Sequence, residues 1–219
     1  MPDIICLQET WLNASIEDFR INNYSCISRY DRGDGRIGGG VALYAKSSCN
    51  FIVHASDSNV AERSWHFLHS DQGIVLVGNF YRPPDAAPEA IESLRAELKN
   101  YESKVIGVLL VGDFNVHHCK WLRFSNANTS SGELLHEICQ ECGLQQHVKA
   151  PTRGQYLLDL VISNLPQTTV KLSGMLADRK AVIVSVPLAV SDAHILRRRG
   201  WDFKNAQWHA LKTELRNFD

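Results

Sequence analysis

Nowhere in the 219 residues does an uninterrupted apolar run approach the roughly 18 residues that a membrane helix needs, so no transmembrane segment is predicted. The N-terminus also lacks the charged-then-apolar order of a secretory signal, which gives the reading of an intracellular protein. An excess of cations is missing too: 23 Lys and Arg stand against 24 Asp and Glu, for a net charge of −1. A basic footprint over the whole surface is thereby excluded. DNA as a substrate is not, because a hydrolase can hold phosphates with a few local cations and a metal ion.

Cysteine is scattered rather than patterned. Its six copies, at 6, 26, 49, 119, 139 and 142, fall in segments that read as strand or helix, which argues against a disulfide framework. Cys139 and Cys142 form a CxxC, but no second pair completes a zinc site, even with His117, His118 and His136 at hand. The stretch "ELLHEICQECGL" reads more simply as an amphipathic helix ending at Gly143. Internal repeats and low-complexity tracts are absent, and Gly38, Gly39 and Gly40 lack the spacing of a nucleotide-binding fingerprint.

What is present is a series of short apolar runs with turn residues between them. "IICL", "YSCIS", "GGGVALYAK", "NFIVHAS", "WHFLHS" and "GIVLVGNFY" are strand candidates, followed by helical spacing in "APEAIESLRAELKNYES". "KVIGVLLVGDF" is the most strand-like run, and "YLLDLVISN", a segment near 168–173 and "AVIVSVPL" complete the set. Strand-rich ends around interspersed helices predict an α/β sandwich rather than an alternating parallel sheet.

Several of these runs end in chemistry. "DIICLQET" delivers Glu9, "VLLVGDFN" delivers Asp113 and Asn115, and "LLDLVIS" sets Asp159 among apolar neighbours. A carboxylate in such a place is costly unless it binds a cation or accepts hydrogen bonds. One alone reads as a satisfied structural group, whereas three with an asparagine point to a divalent metal and a phosphate.

The ordered blocks "DIICLQET", "RIGGGVALYAK", "NFYRPP", "VGDFNVHHCKWL", "APTRGQYLLDLVISN" and "LADRKAV" resemble the endonuclease/exonuclease/phosphatase superfamily. Within it, the nearest likeness is to the apurinic-like endonuclease domain of non-LTR (LINE-type) retrotransposon polyproteins. The resemblance implies a two-sheet α/β sandwich, DNase I-like in fold, and a metal-dependent phosphodiester hydrolase that nicks DNA, with Mg²⁺ as cofactor and Mn²⁺ as its alternative. It assigns Glu9 to the metal and Tyr81 to the scissile phosphate. Asp113 and Asn115 would orient water and phosphate, with Asp159 as a supporting acid. Family members close the domain with an Asp-His pair before the last strand. In "LADRKAV" the aspartate is Asp178, and Arg179 stands where the histidine belongs. Arginine cannot exchange a proton at accessible pH, but it can pair with Asp178 or with a phosphate. A displaced pair, Asp192 with His194 in "VSDAH", leads into "ILRRRGWDF" instead of an apolar strand, so the earlier block is preferred.

The family's first strand, which carries an asparagine near the metal, has no counterpart ahead of "PDIICLQET". Residues 1–190 are therefore expected to form an N-terminally truncated, degenerate endonuclease domain, and residues 191–219 a polar connector that would precede a covalently linked reverse transcriptase. DNA is the expected partner, no membrane is involved, and the location would be nuclear if the protein functions. Two other outcomes remain open: a non-catalytic remnant that binds nucleic acid or protein, and a phosphomonoesterase or phospholipase of the same superfamily.

Overall fold

The computed structural model describes residues 1–190 except 17, 18, 34, 35 and 177, together with Trp208. The expected connector lies outside the described residues apart from Trp208, as do Asp192 and His194.

The chain is an α/β fold with mixed sheets. Its larger sheet has six strands in the order β4 (Ile52–Asp57), β5 (Glu62–Ser70), β6 (Gly73–Tyr81), β7 (Gly107–Asp113), β9 (Asp159–Ser163) and β8 (Gln145–Gln146). A three-stranded sheet orders β1 (Ile4–Gln8), β3 (Val41–Lys46) and β2 (Tyr24–Tyr30), and β10 (Thr169–Leu176) forms a hairpin with β11 (Arg179–Ser185). Pairing is antiparallel except between β6 and β7, which run parallel and are joined by α1 (Glu89–Tyr101). A parallel pair requires such a crossover, and the helical spacing after "NFYRPP" supplies it.

Alternation along β6 shows how the layers are made. Val75 and Val77 pack with Leu43 and Ala45 of β3, while Leu76 and Phe80 join Ile91, Leu94 and Leu98 of α1. Successive side chains of a strand point to opposite faces, so one strand serves both cores. Helix α2 (Ser130–Glu141) adds Leu135 and Ile138 on the same side as α1. Its start is capped by the Thr129 hydroxyl, which accepts from Gly132 N, and Gly143 turns the chain after its end with φ 63°. The expected helix end at Gly143 is thus met. All six cysteines are free.

Asn79, fully buried on the face of β6 that meets β1 and β3, donates through Nδ2 to Leu7 O (3.1 Å) and Ala42 O (3.0 Å) and accepts from Gln8 Nε2. This one amide fixes the end of β1 against the larger sheet. A second buried group is Arg63, whose guanidinium is matched by Glu97 of α1 through Nε (2.9 Å) and Nη2 (2.8 Å). His66 is the third. Its Nδ1 faces Val77 O at 3.3 Å, so that nitrogen carries the proton and Nε2 accepts from the Ser28 hydroxyl at 2.7 Å.

Two expected outcomes follow from these buried groups. Removing one partner of a buried ion pair strands the other charge, so Glu97→Ala should lower stability by about 3–5 kcal/mol in denaturant titration. Burial pushes the His66 pKa from 6.5 down to about 4. The folded state therefore favours neutral His66; its contribution is complete above pH 6.5 and is lost as pH falls towards 4. Melting temperatures measured across that window should fall more steeply for the native chain than for His66→Gln.

Candidate active site

Strand register lines up the chemistry. Tyr81 pairs with Asp113 across β6 and β7, and Asp113 with Asp159 across β7 and β9. Adjacent strands lie about 4.8 Å apart, so these three side chains stand in a row at one end of the larger sheet's central strands. Glu9 arrives from the facing sheet, directly after β1. Burial, with the neighbouring Glu9 carboxylate adding to it, raises the Tyr81 pKa and keeps the phenol protonated.

Asp113 is almost wholly buried, with a side chain 2% exposed. Gly112 permits this. It has φ 147°, and a Cβ there would come within 1.8 Å of Phe80 O, so no larger residue allows β7 to lie this close to β6. Asn115 then braces the carboxylate: its N–H donates to Asp113 Oδ1 (3.2 Å) and its Nδ2 to Oδ2 (3.0 Å). Both Glu9 (φ 51°) and Asn115 (φ 45°) hold left-handed backbone, uncommon for non-glycine residues and concentrated at functional sites.

Arg179, the first residue of β11, reaches into this row. Its Nη2 lies 2.7 Å from Asp113 Oδ2 and 3.6 Å from Glu9 Oε1, and its Nη1 lies 3.2 Å from Asp159 Oδ1. Burial opposes the guanidinium charge, but the surrounding carboxylates outweigh it and raise the Arg179 pKa. For Asp113 the balance goes the other way. Burial pushes its pKa up to about 7, with Asp159 and Glu9 adding to the rise and Arg179 opposing it.

Of the residues singled out in the sequence, Glu9, Tyr81, Asp113, Asn115, Asp159 and Arg179 come together. Asp178 does not join them. Its carboxylate lies in the turn before β11 and pairs with Arg153 at 2.8 Å, not with Arg179. The reach of Arg179 to three carboxylates is not visible in the sequence, and neither are two positioning residues. Thr152 accepts from Asp159 N (3.1 Å) through its hydroxyl and from Lys180 N (2.9 Å) through its carbonyl, which joins the starts of β9 and β11. Arg82 donates to Asn115 O (3.2 Å) and to Ser131 Oγ (3.0 Å), and its own carbonyl accepts from Asn115 Nδ2 (2.9 Å). Both lie in quoted blocks, "APTRGQY" and "NFYRPP", and nothing local marks them as more than loop residues.

Carboxylate oxygens are the donors that Mg²⁺ takes, so the residue types at this site suit the ion. Their arrangement does not. The guanidinium spans the space on which Glu9, Asp113 and Asp159 converge, and among the described residues no three His, Cys, Asp or Glu side chains are grouped to hold a metal. With Arg179 seated there, the site does not fit a divalent cation.

The geometry can be set beside known proteins. The Endonuclease-reverse transcriptase family matches residues 75–180, a segment that contains Tyr81, Asp113, Asn115, Asp159 and Arg179. No curated protein matches the chain. The fold is similar to the endonuclease domain of TRAS1, a telomere-specific non-LTR retrotransposon, at 18% identity and a TM-score of 0.64, over 84% of this chain and 85% of that one. It is also similar to the Xenopus laevis APE2 catalytic domain, at 14% identity and a TM-score of 0.62, over 87% and 85% of the two chains. A third likeness is to the 3′ phosphatase NExo from Neisseria, at 13% identity and a TM-score of 0.57, over 84% and 89%. Over residues 75–180 the chain is thus similar to the Endonuclease-reverse transcriptase family, and its fold is like that of the TRAS1 endonuclease and APE2 catalytic domains.

Proposed function

We propose that the protein is the DNA-nicking endonuclease domain of a retrotransposon polyprotein, a phosphodiester hydrolase by descent whose turnover is held down by Arg179. In this reading it meets DNA in the nucleus and is followed covalently by a reverse transcriptase. The observation that carries it is the contact of Arg179 with Asp113 at 2.7 Å, inside a cleft otherwise made of hydrolytic residue types. No helix among the described residues is long and apolar enough to cross a membrane.

The chemistry follows from the groups at hand. In an in-line displacement a water oxygen attacks phosphorus, its proton passes to a base, and the bond to the leaving oxygen breaks. Asp113 is placed to take that proton, because a pKa of about 7 suits a general base near neutral pH. Tyr81 stays protonated and can donate to a phosphate oxygen. The leaving oxygen must be protonated, or its charge balanced, as the bond breaks; Arg179 supplies no proton, and its charge is already engaged by three carboxylates. Its pairing with Asp113 also ties up the base. Binding of a phosphate can therefore outlast turnover, which favours as second reading a module that binds nucleic acid without cutting it. A phosphomonoesterase or phospholipase role is less well supported, since the matched family is an endonuclease family.

Loss of a positioned acid–base group typically costs ~10²–10⁴ in rate, so the native chain should show little or no metal-dependent nicking of supercoiled plasmid. Arg179→His should raise whatever activity remains, and Asp113→Ala should abolish it. Stoichiometric DNA binding with no product in any variant would select the binding module. Robust nicking by the native chain that disappears in His194→Ala would move the working pair to Asp192 and His194 and sink the role given to Arg179.

A further inference from the structure

The cleft poses an electrostatic problem that Arg179 answers. Register sets Asp113 directly opposite Asp159, and Glu9 closes on the same point from the other sheet. Like charges facing one another across paired strands are destabilising, and at a largely buried site little solvent screens them. A compensating cation is required. Arg179 fits the need in position and in shape: its side chain is 18% exposed, and both terminal nitrogens are used, Nη2 towards Asp113 and Glu9 and Nη1 towards Asp159. The adjacent aspartate does not compete, because Asp178 is engaged by Arg153. A histidine at the same place carries a shorter side chain and loses its charge near neutral pH, so it could not serve as a permanent counter-ion.

We infer that Arg179 is a resident cation that balances the carboxylates of Glu9, Asp113 and Asp159, and that Glu9 and its cleft are closed to divalent metal ions while Arg179 is seated. The inference rests on reading this cleft as the superfamily's hydrolytic site. It goes further in assigning the cation itself to the polypeptide. An ordinary surface ion pair would behave differently, since its removal would cost little and create no metal site.

The test uses Mn²⁺ as probe, with binding followed by electron paramagnetic resonance and stability by melting temperature, both on the full chain without DNA. The native chain should take up no Mn²⁺ at this site below millimolar concentration, and its melting temperature should be the same in Mn²⁺ and in chelator. Arg179→Ala should bind Mn²⁺ at least about tenfold more tightly, melt lower than the native chain in chelator, and recover on adding the ion. That gain should vanish when Glu9→Gln is added. Arg179→Lys, which keeps the charge, should still exclude the ion. If Arg179→Ala fails to fold in chelator, Arg179→Gln is titrated in its place. Native protein that binds Mn²⁺ as tightly as these variants would overturn the inference, and so would a folded variant that gains no Mn²⁺ affinity. These readouts are independent of nicking. A variant that gains Mn²⁺ but never cuts DNA leaves the resident cation standing and removes the endonuclease reading, whereas native protein that cuts with Mn²⁺ bound does the reverse.

Discussion

Three carboxylates meet at the end of this protein's larger sheet, and a guanidinium is inserted among them. The contacts of Arg179 with Asp113, Asp159 and Glu9 tie the starts of β9 and β11 to the ends of β1 and β7. Elements from both sheet layers and from the hairpin are thus held at one point. The residual conflict shows in Asp113, whose pKa rises to about 7 although a cation lies beside it, because burial outweighs the attraction.

The rest of the architecture can be understood as what delivers those groups. Gly112 lets β7 lie tight against β6 so that Asp113 sits beside Tyr81, and Asn115 turns back to brace the carboxylate. Asn79 pins β1 and β3 onto the larger sheet, which sets the position of Glu9. Thr152 links the chain entering β9 to the chain entering β11, bringing Arg179 over Asp159. Each is a small polar group satisfied in a buried or half-buried place, where a hydrogen bond fixes geometry more firmly than apolar packing would.

An arginine at such a point does more than withhold a proton. The Arg179 side chain is long enough to reach the carboxylates of three other segments. Its guanidinium is part of the protein's own charge balance.

Much of this was legible in the amino-acid order. The run "KVIGVLLVGDF" is apolar, β-branched and closed by Gly-Asp, which marks a buried strand with a functional end, and β7 follows it. The helix ending at Gly143 was readable because glycine takes a left-handed backbone cheaply and the apolar spacing stops there. Glu9, Asp113, Asn115 and Asp159 stood out because acids and amides at the ends of apolar runs are costly without a partner. Arg179 was singled out by the position of "LADRKAV" before an apolar strand, and the structure brings its side chain to the same cleft. Which partner each charge takes was not legible. Sequence proximity favours Asp178 for Arg179, yet Asp178 pairs with Arg153 and Arg179 crosses to three acids from three other elements. Local sequence determines which residue types appear at strand ends. The register between strands and the path of the loop through Thr152 decide which of them meet, and those are set by contacts far apart along the chain.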